Sequence, residues 1–264
     1  MTFVKRIMVS CLAAMTASVL VFALPGWADD KASNNANDQS DVVKRMQASA
    51  DVLNEIMGAP DKAIPEKVLS DARCIAIVPS MVKIAVVFGG NHGKGIATCR
   101  TDHGWSAPAP ISMTGGSFGL QFGGQAVDVV MLVMNEKGMN SLLSSKFKLG
   151  ANASAAAGPI GRDAGADTDW KMKAEVLTYS RARGVFAGVD LNGSSITQDE
   201  DETRILFGKM EPFKHILYGT VAAPKGSHEF LQTVAKYAPN TPSPKQSSLT
   251  PGQASDRAGT SRNK

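Results

Sequence analysis

The run QAVDVVMLVM, residues 125–134, constrains the fold more than any other part of the chain. Apolar side chains occupy its odd and even positions alike, whereas a strand with one solvated face alternates between apolar and polar residues. The run therefore predicts a central strand that is covered on both faces. Asp128 lies within it, and a buried carboxylate needs a partner. We interpret Asp128 as a structural acid paired with a cationic side chain or backbone donors, and the alternative is a perturbed carboxylate at a functional site.

The rest of the pattern predicts an α+β fold in a single domain. Apolar residues at three- and four-residue steps predict an amphipathic helix that Asp41 caps and Gly58 ends. Alternating and β-branched runs then predict a largely antiparallel sheet or barrel-like core. Helices at both termini should flank it, the last three over residues 199–207, 212–218 and 227–237.

The amino terminus has the order of a secretory signal peptide. Two cations precede an apolar run over residues 7–24, and the letters GWA end at Ala28. This order predicts a signal over residues 1–28 and a periplasmic or secreted protein, with an uncleaved membrane anchor as the alternative. The polar residues 29–40 are then a leader, residues 41–238 the folded domain, and the Pro- and Ser-rich residues 239–264 a disordered tail.

Charge argues against nucleic acid as a partner. The whole chain carries +4, but residues 29–238 contain 22 basic and 23 acidic residues, a net charge of −1. A basic surface for nucleic acid would need a large excess of cations in the folded part. Any anionic ligand must therefore be held by a local cluster.

Sequence motifs for catalysis are absent. The chain has no phosphate-binding loop, no G-x-S-x-G, no H-E-x-x-H and no C-x-x-C, and its four histidines are scattered. We therefore expect no enzyme activity, no metal and no cofactor. The Gly- and Ala-rich residues 149–167 lie between strand-like segments, where small residues mark a close approach of two backbones.

Two cysteines remain after the predicted signal, Cys74 and Cys99, and an even count in an exported protein predicts a disulfide between them. One feature of the expected hairpin opposes this pairing. The glycine-rich GGNHGKG, residues 89–95, is expected to be the turn, and a simple register would then place Ala85 opposite Cys99. The pairing therefore requires the chain to bend.

Several motifs in order resemble the SYLF domain family: WSAP, GGSFGLQFGGQ, LGANASAAAGP-GR and YSRARGVFAGV-L-G. The resemblance extends from about Asp41 to Pro224. It implies a lipid-binding module without catalytic residues, since eukaryotic members bind phosphoinositides and other anionic lipids, and some bind actin. Bacterial members are similar exported single-domain proteins.

This resemblance leads us to expect an exported, non-enzymatic protein that binds anionic phospholipid or another amphiphile, with a membrane surface as a further partner. The alternative is a structural or protein-interaction module of the cell envelope that has no lipid ligand. Eukaryotic members carry a basic amphipathic helix before the domain, but the leader here is acidic and polar, with only Lys44 and Arg45 after it. Actin is an implausible partner for an exported protein, so we expect none.

The candidate lipid-binding residues are cations that alternation places together. Four of them share odd parity, so one regular strand would carry them on a single face around Leu177 and Tyr179: Lys171, Lys173, Arg181 and Arg183. The alternative is a solvated strand face without a ligand. Weaker additions are Arg162 after the glycine-rich segment and, on the hairpin, Lys83 and Lys94.

Overall fold

The computed structural model of the chain describes residues 29–59, 63–85, 88–118, 123–144, 147–161, 174–182, 185–188 and 191–239. The chain divides after Ala36 into two compact units, and the unit that begins at Asn37 contains every described strand. The predicted signal peptide and most of the predicted tail lie outside the described residues.

Six helices are described in this structure. They are α1 (Asp29–Met57), α2 (Glu66–Asp71), α3 (Glu136–Leu142), α4 (Glu200–Phe207), α5 (Phe213–Leu217) and α6 (His228–Tyr237). Asn135 caps α3, and its side chain accepts a hydrogen bond from the backbone N–H of Gly138 at 2.9 Å. None of the described helices is long and apolar enough to cross a bilayer.

Ten strands form the β structure. They are β1 (Cys74–Ala85), β2 (Phe88–Thr101), β3 (Gly104–Trp105), β4 (Ala109–Phe118), β5 (Gly123–Val133), β6 (Phe147–Lys148), β7 (Ala155–Ala157), β8 (Val176–Ala182), β9 (Val185–Gly188) and β10 (Ser195–Gln198). Eight of them lie in the order β6-β10-β4-β2-β1-β5-β8-β7, while β3 pairs with β2 and β9 with β8. Only the β7–β8 pair among the described pairs is parallel. The predicted α+β class with a largely antiparallel, barrel-like sheet is confirmed, and the sheet curls into a half-barrel.

Strand β5 is covered on both faces, as its sequence predicts. Val129 and Met131 belong to a core that includes side chains of α3 and α5, whereas Val130 and Leu132 belong to a core built with α1, α2, α4 and α6. We call these two sides of the sheet the α5 face and the α1 face. Because successive side chains alternate, each central strand contributes apolar area to both cores.

The first hairpin turns at a different place from the one predicted. Residues 89–95 lie within β2, and the turn falls between Ala85 and Phe88. The glycines serve close packing instead, since a Cβ at Gly95 would collide with the carbonyl oxygen of Ile77 on the neighbouring strand.

This register removes the geometric objection to the disulfide. Cys74 and Cys99 are direct partners on β1 and β2, and their sulfur atoms lie 2.05 Å apart. The sequence placed the turn in the glycine run because glycine is common in turns, and that assumption produced the wrong register.

Helix α1 begins at Asp29, twelve residues before the predicted cap at Asp41. The intervening residues contain neither glycine nor proline, so nothing in them stops a helix. The predicted apolar face is confirmed. It is buried against the α1 face of the sheet through Val42, Met46, Ala50, Leu53 and Ile56.

The small-residue segment packs closely within the fold, as predicted. Ala155–Ala157 form β7 against β8, and a Cβ at Gly158 would collide with the ring of Tyr179. The hydroxyl of Tyr179 is buried without a hydrogen-bond partner in the described part of the chain. Burial also raises the pKa of this hydroxyl.

These contacts predict opposite outcomes for two neighbouring substitutions. Gly158→Ala should lower the free energy of unfolding by about 2 kcal/mol or more, because the added methyl group overpacks the Tyr179 ring. Tyr179→Phe should raise it by about 1 kcal/mol, since the change removes a buried hydroxyl that has no hydrogen-bond partner. Urea unfolding followed by circular dichroism measures both. A destabilising Tyr179→Phe change would show that the hydroxyl is hydrogen-bonded in solution.

Candidate functional site

Strand β8 does not present its odd-numbered residues to solvent. Leu177 and Tyr179, predicted to lie at the centre of the cationic face, are buried in the α1-face core. Glu175 is also buried. It pairs with Lys137 at 2.6 Å and accepts the backbone N–H of Ser154 at 2.9 Å. These hydrogen bonds outweigh desolvation and lower the pKa of Glu175.

The structure describes only one of the four predicted strand cations, Arg181. Three others, and the weaker addition after the glycine-rich segment, lie outside the described residues: Lys171, Lys173, Arg183 and Arg162. Alternation correctly predicted that Leu177, Tyr179 and Arg181 share one face of β8. The error was to take that face as exposed, since parity does not tell which face meets solvent.

Arg181 connects β8 to β5 and to α1. Its Nε donates to Asp128 Oδ2 at 2.8 Å, a second guanidinium nitrogen lies 2.6 Å from the same oxygen, and Glu55 of α1 forms a further ion pair. The backbone N–H of Ser80 donates to Asp128 Oδ1 at 2.9 Å from a bulged position with φ +51°. The interpretation of Asp128 as a structural acid is thus confirmed.

Lys94 is similarly engaged, on the α1 face. Its ammonium lies 2.9 Å from Asp199 and 2.9 Å from Glu202, and Glu202 also pairs with Arg45 of α1. Burial acts to lower the pKa of Lys94, but the hydrogen bonds and charges of the two carboxylates outweigh it and raise that pKa. Lys94 therefore ties β2 to α4 and is not available to a ligand without breaking these pairs.

Lys83 is in a different situation from the other predicted cations. It lies two residues after Met81, so it belongs to the α5 face of β1, directly opposite Asn91 of β2. It is half-buried and makes no ion pair with the described part of the chain. Desolvation therefore lowers its pKa.

Asn91 lies beside Lys83 with an unsatisfied polar atom. Its Nδ2 donates to Ser194 Oγ over a long 3.4 Å, while its Oδ1 is buried and has no partner among the described residues. Such an orphaned acceptor costs roughly 1–3 kcal/mol. Gly115 packs closely against this amide, because a Cβ there would lie 2.7 Å from Asn91 Oδ1 and 2.6 Å from Ser194 Oγ.

An open cleft of about 660 Å³ lies beside α5. Its apolar wall comes from Leu143, Pro212 and Phe213, and its rim carries the exposed cationic side chain of Lys214 and the imidazole of His215. Lys214 makes no ion pair within the described ranges. We call this feature the α5 cleft.

Two exposed apolar side chains lie near Lys214 in sequence. Met210, 37% exposed, and Tyr218, 51% exposed, lie four residues before and after Lys214. Sequence reasoning missed this site.

No group of three metal-ligating side chains assembles within the described part of the chain. The four histidines are all exposed and lie on separate elements or loops: His92, His103, His215 and His228.

Comparison with known proteins decides the family. Residues 114–237 match the Ysc84 family model, described as "Las17-binding protein actin regulator". Protein YSC84 of Saccharomyces cerevisiae is 34% identical over 191 residues, covering 71% of this chain. The chain belongs to the SYLF family, whose domain the Ysc84 model describes. The SH3 domain-containing YSC84-like protein 1 of Xenopus laevis is 28% identical over 206 residues, covering 75% of this chain.

The curated SYLF relatives are longer than this chain. The matches cover 40% of yeast YSC84 and 61% of the Xenopus protein. A third relative, LAS seventeen-binding protein 3 of yeast, is 34% identical over 175 residues, covering 65% of this chain and 38% of its own length. One of these three names states binding, to LAS seventeen, and none of them describes an enzyme.

These names overturn one expectation from the sequence. We expected actin to be implausible as a partner, because residues 1–28 resemble an export signal. That expectation is wrong, since the matching family model is described as an actin regulator and relatives are named for binding Las17. We excluded actin because of the predicted location of the chain, and nothing in the folded SYLF domain itself supported that exclusion.

The Arg181 contacts predict a measurable loss of stability. Arg181→Met should lower the free energy of unfolding by about 2 kcal/mol or more, because Asp128 would remain largely buried without its cation. The matched control is Arg204→Met, which breaks exposed pairs with Glu200 and Asp201 and should cost less than about 1 kcal/mol. Urea unfolding measures both, and equal losses would contradict a structural role for Arg181.

Proposed function

We propose that this SYLF protein is a non-enzymatic binding protein whose ligand is anionic phospholipid, held at the α5 cleft. The observation that carries the proposal is the combination of an apolar wall, Leu143 and Phe213, with a cationic rim at Lys214. An amphiphile presents the complementary pair of surfaces, an anionic headgroup joined to an apolar chain. The family's implied lipid binding supports the same chemistry.

The size of the α5 cleft supports this ligand class. Its volume of about 660 Å³ lies within the roughly 300–1,000 Å³ typical of sites for small molecules. That volume suits a headgroup and the first part of an acyl chain, with the remainder of the lipid left in its bilayer. Glu200 also lines the cleft, but its carboxylate is engaged by Arg204 at 3.0 Å.

The side chains around the cleft suit a membrane surface. Tyrosine combines an apolar ring with a polar tip and is favoured at membrane interfaces, and lysine extends its charge from an apolar stem. Met210 and Tyr218 are exposed and lie four residues before and after Lys214 in sequence, so both would enter the headgroup region while the ammonium meets phosphate. With a net charge of −1 over residues 29–238, such a local contact would dominate over general attraction.

We further propose that the protein acts in the periplasm or outside the cell. The support is the order of cations, apolar run and small residues in residues 1–28.

A second candidate function follows from the relatives. The family model is described as an actin regulator, and a yeast relative is named for binding Las17. The SYLF domain of this chain would then bind a component of the actin cytoskeleton. Co-sedimentation with actin filaments tests this candidate, and the control is the same protein centrifuged in buffer without filaments.

Vesicle co-sedimentation tests the lipid proposal at the α5 cleft. Lys214→Gln should weaken binding to vesicles that contain phosphatidylglycerol about fivefold at low salt, because one lysine contributes roughly 1 kcal/mol at an anionic surface. Added salt should weaken the unmodified protein too. Vesicles of pure phosphatidylcholine should bind far less.

Lys225→Gln is the matched control, because it removes an equal charge from another exposed lysine in the loop before α6. It should leave vesicle binding unchanged. If both variants lose the same affinity, attraction is non-specific and the α5 cleft is not the site. Circular dichroism of both variants confirms that each is folded.

A further inference from the structure

Side chains of opposite charge line the α5 cleft. Lys214 of α5 lies on its rim, and Glu200, the first residue of α4, also lines it. Thr197 and Gln198, at the end of β10, line the cleft as well, and we call these two residues and Glu200 the α4 side. If Lys214 holds the phosphate of a lipid, the rest of the headgroup must meet the α4 side. The chemistry of the α4 side therefore decides which headgroup the cleft accepts.

Glu200 keeps much of its negative charge although it forms an ion pair. Its side chain is 62% exposed, and Arg204 lies 3.0 Å from its Oε2. The same guanidinium also pairs with Asp201 at 2.9 Å, so one cation serves two carboxylates. Exposed pairs of this kind are weak. A further anionic group on a ligand would therefore be repelled by the α4 side.

The two neutral side chains of the α4 side suit hydroxyl groups. The hydroxyl of Thr197 makes no hydrogen bond within the part of the chain that the structure describes. Gln198 donates its amide hydrogens to Thr203 Oγ1 at 3.1 Å and to the carbonyl oxygen of Glu211 at 2.8 Å, which leaves its Oε1 as an acceptor. A ligand hydroxyl can donate to this oxygen, and it carries no charge for Glu200 to repel.

We propose that the α5 cleft selects lipids whose phosphodiester is followed by a neutral polyol, and that Glu200 rejects a further phosphate on that polyol. This inference rests on the proposed lipid binding at Lys214. Phosphatidylglycerol and phosphatidylinositol have the accepted chemistry, whereas a phosphorylated phosphatidylinositol has the rejected one. An unfavourable contact is an effective source of specificity, because it lowers the affinity for the wrong ligand alone.

The expected preference is opposite in sign to that of non-specific attraction. A protein surface that attracts lipid only through its cations binds the more negatively charged headgroup more tightly. The α5 cleft should instead bind the less charged headgroup more tightly. Lys214 meets the phosphodiester that both kinds of lipid share, so the difference in affinity reports on the α4 side.

Isothermal titration calorimetry on the full chain tests the selection with two short-chain lipids, dihexanoyl phosphatidylinositol and its 4-phosphate. They differ by one phosphate on the polyol, which carries close to two negative charges at about pH 8. Phosphatidylinositol should bind about fivefold more tightly, the factor that roughly 1 kcal/mol of like-charge repulsion supplies. Equal affinities, or tighter binding of the 4-phosphate, would overturn the inference.

Variants assign the selection to Glu200. Glu200→Gln keeps the size of the side chain but removes its charge, and it should reduce the preference to about twofold or less. Glu229→Gln is the matched control, because it neutralises another exposed glutamate in the first turn of a helix, and Glu229 does not line the cleft. The control should keep the full preference. A loss of preference in both variants, or in neither, would overturn the inference.

Arg204→Met gives a second test should Glu200→Gln fail to fold. This variant removes the cation that partly neutralises Glu200. The preference for phosphatidylinositol over its 4-phosphate should therefore rise above that of the unmodified protein, a change opposite to that in Glu200→Gln. An unchanged or smaller preference in Arg204→Met would overturn the role of Glu200.

Lys214→Gln separates failure of the selection from failure of the lipid site. It should weaken the binding of both short-chain lipids by a similar factor, because Lys214 meets the phosphodiester that they share. If Lys214→Gln has no effect, or if neither lipid binds, the lipid site itself is wrong and the selection fails with it. If both lipids bind and both weaken in Lys214→Gln, but their affinities are equal, only the selection by Glu200 is wrong.

Discussion

The double burial of the central strands is the constraint on which the rest of the structure depends. Strand β5 contributes apolar side chains to a core on each face, so no polar group on it can rely on water. Each must find a partner inside the protein or remain unsatisfied at a cost. Asp128 finds Arg181 and the N–H of Ser80. On β2, the buried Oδ1 of Asn91 has no partner among the described residues.

The same constraint explains how α1 is held. Its apolar face packs on the sheet, and one cation and one acid at its borders join ion-pair networks that reach the strands. Arg45 pairs with Glu202, which also holds Lys94 of β2, and Glu55 pairs with Arg181 of β8. Cations that look available to an anionic ligand in the sequence are thereby engaged in attaching the first helix. Lys83 and Lys214, which make no ion pair with the described residues, lie away from the α1 face.

The sequence predicted features that follow from local alternation and missed those that depend on where the sheet is covered. The two-sided run at residues 125–134 identified β5, and the odd parity of Leu177 and Tyr179 was right. Parity alone could not show that α1 covers that face, because the covering helix lies more than a hundred residues away in sequence. The glycines of residues 89–95 resemble a turn, yet they permit close strand packing. The α5 cleft was missed because its wall joins Leu143 to Phe213, seventy residues apart.

We propose that the cleft beside α5 is the place where this SYLF protein meets a membrane. Hydrogen–deuterium exchange of the intact, unmodified protein, with and without phosphatidylglycerol vesicles, tests this central claim directly. Vesicles should slow exchange over residues 210–218 and leave exchange over residues 176–182 of β8 unchanged. Slower exchange confined to residues 176–182, with residues 210–218 unaffected at saturating vesicle concentration, would contradict it.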